Sequence, residues 1–255
     1  MNESRILSVV GNDLGVAAGC GMYSSLHAPH GIELCIGLER ELSVRTGDGG
    51  SVRGRVIAVP PDLDRRIESE GVTLAMLYDV EPFPSLAGFA RRTESPIVLD
   101  GPLARRVIDA ARAQRDSLFR AEVLRGLAEE LAGYFSGERP RRIDPRVGRA
   151  VEALRAHDLR RGEIIAASGL SEPHLQALFV RDIGISMRRF RLWQRMLSAV
   201  IALRRVDCTR AAHDAGFADL AHFSRTCARL LGYPPRTMRA AFTGELLRLP
   251  ARVEW

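Results

Sequence analysis

The 255-residue chain contains no lysine; all 37 of its basic residues are arginine. That excludes chemistry built on a lysine amine, including the phosphate-binding loop that ends in Lys and the Schiff-base nucleophile. The four cysteines, Cys20, Cys35, Cys208 and Cys227, form no C-x-x-C pair, and each lies among apolar neighbours. Buried free thiols are expected rather than a metal or redox site. The longest apolar runs, 72–78 and 197–203, are about seven residues, where a membrane helix needs roughly 20. The first residues lack the basic-then-apolar pattern of a secretory signal, so a soluble cytoplasmic protein is the expectation. Neither a G-x-S-x-G elbow nor an H-E-x-x-H pair occurs, so no enzyme is expected from these motifs. The remaining composition, 46% hydrophobic and 27% charged, is that of a globular protein and excludes collagen-like and wholly disordered chains.

The charge is unevenly placed. Residues 1–140 hold 16 Arg and 20 acids, a net of −4, and residues 141–255 hold 21 Arg and 11 acids, a net of +10. A basic half joined to an acidic half suggests a polyanion-binding module attached to something else.

Local pattern divides the chain at the same place. Residues 5–10, 32–38, 42–45, 52–60 and 72–80 are short β-prone runs separated by Gly, Asp and Pro, which predicts a small sandwich or barrel. Residues 102–114 predict a helix with Leu103, Val107, Ile108 and Ala111 on one face. Residues 116–135 predict another, capped by Asp116, with Leu124, Leu127 and Leu131 in its stripe. That stripe has two readings, packing within its own domain or a helix-pair dimer seam. Gly137, Pro140 and clustered charge mark a linker. Beyond it the pattern is helical: 145–157, 162–168, 172–182, 186–204, 209–215, 220–231 and 235–242.

The helical half repeats itself. Aligning Gly184 with Gly232, a shift of 48 residues, pairs Leu175 with Phe223 and Phe179 with Cys227. Each unit has a short helix with small residues (Ala166, Ala167; Ala211, Ala212, Ala215), a turn glycine (Gly169; Gly216), an apolar plug (Leu170; Phe217) and a polar cap (Ser171; Asp219). A second helix follows, with one apolar face (Leu175, Leu178, Phe179; Phe223, Cys227, Leu230). This is the helix-turn-helix pattern, in which the second helix enters the major groove.

The residues Gly216-Phe217-Ala218-Asp219, His222-Phe223-Ser224-Arg225-Thr226 and Gly232-Tyr233-Pro234-Pro235 carry a more specific likeness. Residues 146–242 closely resemble the DNA-binding domain of the AraC family of bacterial transcription regulators. Cys227 stands where that family usually has an aromatic. The resemblance implies that 186–204 is one helix joining two motifs, which read adjacent major-groove segments. It also implies an N-terminal cupin-like β-barrel that senses a small molecule, followed by dimerising helices; 27–34 and 56–61 resemble two cupin strands. The expected class is therefore α+β, with a cupin-like sensing domain (1–100), a helical dimerisation segment (101–136), a linker (137–145), a DNA-binding domain (146–242) and a tail (243–255).

Double-stranded DNA, a small-molecule effector and a second copy of the chain are the expected partners, with no cofactor and no membrane. Candidate base contacts are Pro173, His174, Gln176 and Ala177 in the first motif and Leu220, Ala221, His222 and Arg225 in the second. Arg225 is foremost, because a guanidinium binds a guanine edge bidentately. Candidate phosphate contacts are Ser171, Arg181, Ser186, Arg188, Arg189, Ser224, Arg229 and Arg236, which position rather than specify. His27 and His30 could hold a metal or be ordinary surface or pocket-lining side chains; two ligands are too few for a closed site. Trp193 is expected in the core. A sequence-specific regulator leads the functional readings. A cupin-type metalloenzyme fused to a DNA-binding module and a non-specific architectural DNA binder are the alternatives.

Overall fold

A computed structural model describes residues 7–10, 14–20, 24–78, 93–113, 143–156 and 161–243. The described strands are β1 (Leu7–Val10), β2 (Leu14–Cys20), β3 (Ile32–Gly37), β4 (Leu42–Thr46), β5 (Ser51–Gly54), β6 (Val56–Val59), β7 (Arg65–Glu68), β8 (Val72–Tyr78) and β9 (Ile97–Val98). They form two antiparallel sheets, one of order β1-β2-β8-β3-β6-β9 and one of order β5-β4-β7. The expected run 52–60 is two strands, broken at Arg55 where the chain passes from the small sheet to the large one. The sheets share a core of Cys35, Leu42, Val44, Ile57, Val59 and Ile67, so alternate residues of β4 face inward, as period-two patterning requires. Among the described residues the strands make two sheets; closure into one barrel is not seen.

Helix α1 (Gly101–Ala113) buries Leu103, Val107, Ile108 and Ala111, as its periodicity demands. The stripe 116–135, the linker core 137–142 and the tail beyond Thr243 lie outside the described residues.

The second half is helical: α2 (Pro145–Ala156), α3 (Arg161–Ser168), α4 (Glu172–Ile183), α5 (Met187–Ala202), α6 (Cys208–Asp214), α7 (Leu220–Leu231) and α8 (Pro235–Thr243). These helices build two separate cores. One gathers Val147, Val151, Leu154, Ile164, Leu175 and Phe179. The other gathers Ala211, Ala212, Phe217, Phe223, Cys227 and Leu230. Helix α5 belongs to both, giving Met187 and Phe190 to the first and Trp193, Met196, Leu197 and Val200 to the second. Sixteen residues at 1.5 Å each make it a strut about 24 Å long. Each unit thus has its own hydrophobic anchor on one rigid rod.

Candidate nucleic-acid interface

The duplicated units are two helix–turn–helix pairs, α3–α4 and α6–α7. Gly169 and Gly216 occupy the turns at φ of 68° and 77°, a left-handed conformation that costs a side-chain-bearing residue strain. In the second unit Ala211 and Ala212 are buried and Phe217 plugs the corner, 5.0 Å from the Phe223 ring. Asp219 is the N-cap of α7 and accepts the His222 N–H at 2.5 Å.

The first unit departs from the expected pattern in two ways. Ala166 and Ala167 are exposed. The inward positions of α3 are Ile164 and Ser168, which lie four apart on one face. Ser171 sits at the N-cap of α4, but its hydroxyl makes no capping bond.

The exposed faces of α4 and α7 carry the candidate contacts. On α7, Leu220, Ala221, Arg225 and Arg229 are exposed, while His222 and Ser224 are partly covered. Leu220 is 39% exposed, so its side chain is open to a partner. The His222 ring stands edge-on to Phe217, with centroids 5.2 Å apart. On α4, Pro173, His174 and Ala177 are exposed. Gln176 donates to the Glu172 carboxylate at 2.9 Å, which fixes its amide beside an acid. Val180, not expected from sequence, is 45% exposed on the same helix.

The arginines separate into free and engaged groups. Arg188, Arg225, Arg229 and Arg236 are exposed and make no ion pair among the described residues. Arg181 holds Asp182 through two bonds of 2.6 and 2.9 Å, and Asp182 also accepts the Asp144 N–H. Arg189 lies 3.4 Å from Asp62 of the first half. Its backbone N–H is capped by the Ser186 hydroxyl.

That last pair belongs to a seam between the halves. The segment 24–30 pairs with β7 through His27 and Arg65, whose N–H groups each donate to the other's carbonyl. Its opposite side reaches the end of α7. The Ala28 N–H donates to the Arg229 carbonyl at 2.8 Å, and the Ser25 hydroxyl donates to the Gly232 carbonyl at 2.8 Å. The loop thereby satisfies a carbonyl that a helix C-terminus otherwise leaves open. A Cβ at Gly232 would lie 3.0 Å from His27 Nδ1, so the approach is close. Under it sits a buried charge cluster. Arg65 donates twice to Glu33 Oε2, at 2.6 and 2.9 Å, with His27 Nε2 at 3.6 Å. Burial raises the Glu33 pKa, but Arg65 and then His27 outweigh it and hold the carboxyl at about 2. Burial, reinforced by Glu33, pushes the nearby Tyr233 hydroxyl up.

The two histidines that suggested a metal are therefore seam residues. His27 is inside the cluster; His30 bonds Asp62 and stands edge-on to buried Trp193 at 6.0 Å. No group of three or more His, Cys, Asp or Glu is placed to hold a metal among the described residues. Sequence carried no signal for the seam beyond those two histidines, because Ser25 and Gly232 are 207 residues apart.

Residues 164–241 match a family model described as a helix-turn-helix domain. They form an AraC-type helix-turn-helix domain. The match starts inside α3 and ends inside α8, so it takes in all of α4 to α7 and most of α3. No curated protein matches the chain. Solved structures of ToxT from Vibrio cholerae are similar in fold. The strain O395 structure is 12% identical over 95% of this chain and 98% of its own, with a TM-score of 0.56. An apo variant from strain SCE256 is 10% identical over 90% and 98%, with a TM-score of 0.58. An unsaturated fatty acid-bound form from that strain is 12% identical over 95% of both chains, with a TM-score of 0.51. At these identities the likeness is one of fold. What is shared is an α+β arrangement of β-sheet region and helical domain.

Proposed function

We propose that this protein is a sequence-specific, DNA-binding transcription regulator that reads adjacent major-groove segments with α4 and α7, and that it is not an enzyme. The observation that carries this reading is α7. Its inner face is locked into a core by Phe223, Cys227 and Leu230, and its outer face presents Leu220, Ala221, His222 and an unpaired Arg225. Such a helix fits the major groove, about 12 Å wide. Ser171, Arg181, Ser186, Arg188, Arg189, Ser224, Arg229 and Arg236 are assigned to the phosphates. Arg181 and Arg189 must first leave their acids.

The acidic, strand-rich half is assigned to sensing, as a cupin-like unit that takes a small-molecule effector. The shared fold supports this, since one ToxT structure is bound to an unsaturated fatty acid. The seam at Ala28–Arg229 and Asp62–Arg189 is the route by which a change in that half reaches the reading helix. The segment 116–135 is assigned to self-association.

Selection of genomic fragments by the full-length protein tests the reading. Enrichment of a common motif, with affinity falling steeply as salt rises, is expected. Capture of all fragments with one shared affinity would instead mark an architectural binder.

A further inference from the structure

Gly37 begins the turn between β3 and β4, and a Cβ there would collide with the Arg40 carbonyl. Gly37 ends the β3–β8 ladder opposite Thr73, and its carbonyl and that of Leu38 accept side-chain donors. Two arginines from different elements converge on them. Arg55, from the break between β5 and β6, donates through Nε to the Gly37 carbonyl at 2.6 Å and through Nη2 to the Leu38 carbonyl at 2.8 Å. Arg112, from the last turn of α1, donates to the same Leu38 oxygen through Nε at 3.0 Å and Nη2 at 2.6 Å. One neutral oxygen with two lone pairs therefore receives three N–H groups from two cations.

The other arginines of this sheet region are treated differently. Arg65 holds Glu33, Arg45 and Arg66 hold Glu68, Arg53 holds Glu41, and Arg40 faces Glu70. Among the described residues, Arg55 and Arg112 alone of the arginines in 24–78 and the last turn of α1 have no carboxylate within 4.0 Å. Asp109, one turn before Arg112, forms no pair with it. Each guanidinium has five donors and spends two here. Arg112 is exposed and Arg55 is half-buried, and no Arg55 donor is buried without a partner.

We infer that the Arg55–Arg112 fork is an oxyanion site that takes the carboxylate or phosphate group of a small molecule. Two planar guanidiniums that meet at one oxygen carry the kind of donors that such groups accept in pairs. An anion would also relieve the repulsion between two close like charges that a carbonyl cannot neutralise. The site ties the β3–β4 turn to α1, so occupancy would fix that helix against the sheets. Its use as the effector site rests on the sensing role proposed above; its binding of an oxyanion does not.

Thermal unfolding of the full-length protein in sodium phosphate, sodium octanoate and sodium chloride, at matched ionic strength, tests this. A saturable rise in Tm is expected with at least one oxyanion over chloride, by linkage. Phosphate alone would mark a phosphate ester site and octanoate alone a carboxylate site. R112Q, at an exposed position, should weaken the apparent affinity about tenfold or more, equivalent to the loss of one charged contact. R53Q on the adjacent strand should not change it. R55Q, where the protein folds, should match R112Q. The absence of a rise over chloride, or an equal rise in R112Q from general salting-out, would overturn the site. A rise that follows the fork but leaves DNA affinity unchanged would keep the site and overturn its use as the effector switch.

Discussion

The two helix-turn-helix units share one rod and one plan, yet they are prepared differently for DNA. In the second, α7 is capped by Asp219, its outer arginines are free, and its C-terminus is held by the segment 24–30. In the first, the N-cap hydroxyl of α4 is idle, Gln176 is committed to Glu172, and Arg181 is committed to Asp182. A groove-reading side chain already bonded within its own helix must break that bond before it meets a base. The cost falls on affinity, not on fold. On the function proposed above, the same duplicated scaffold supports a reader in α7 and a more guarded partner in α4, and the end of α7 is bonded to the segment 24–30 of the other half.

The largest test of this contrast concerns the cores. Phe223→Ala should cost about 3–5 kcal/mol and its counterpart Leu175→Ala about 2–5 kcal/mol, measured by denaturant unfolding. Both side chains are fully buried. A loss below about 1 kcal/mol at either position would mean that unit has no packed core of its own.

The seam comes next. Glu33 is held at about 2, well below its ordinary 4.5, so its share of stability is present above pH 4.5 and is lost as pH falls toward 2. Melts across that window should show the loss in the wild type and a much flatter profile in Glu33→Gln, which also starts less stable. Identical pH profiles would remove the buried cluster as the support of the 24–30 segment.

Capping gives a smaller and more selective effect. Asp219→Ala should cost about 1 kcal/mol, and Ser171→Ala should cost less, because only the first removes a capping bond. Equal losses would erase this difference between the units. The smallest effect is expected at the pair Asp62–Arg189, which is solvent-accessible and worth about 1 kcal/mol at most. Asp62→Asn frees Arg189 and should raise DNA affinity, by no more than about fivefold, in fluorescence anisotropy. A fall in affinity would mean that Asp62 orients Arg189 toward DNA.

How much of this was legible in the sequence follows the range of the forces involved. Helix positions, the paired glycines and the buried faces of α4 and α7 follow from residue spacing, which is local. Strands β2, β7 and β9 are not among the runs that local pattern predicts. Among them, β7 (Arg65-Arg66-Ile67-Glu68) hides its inward positions behind a buried arginine that only its partner Glu33 makes tolerable. Ala166 and Ala167 face outward because helical phase, not residue size, decides which positions of α3 meet the core. The seam and the Arg55–Arg112 fork depend on contacts between residues 17 to 207 positions apart, which no local pattern encodes.

The central claim is that α7 reads bases through Arg225 while Arg229, one turn later, holds the backbone. Both substitutions, Arg225→Ala and Arg229→Ala, remove one positive charge from one helix face, so they control for each other. The measurement is selection on randomised duplex DNA by wild type and both variants. Arg225→Ala should lose about 1–3 kcal/mol on the preferred sequence and relax one base position, while Arg229→Ala weakens all sequences alike. If both variants keep the wild-type base preferences and lose equal affinity, Arg225 is only a phosphate clamp and α7 is not the principal reader.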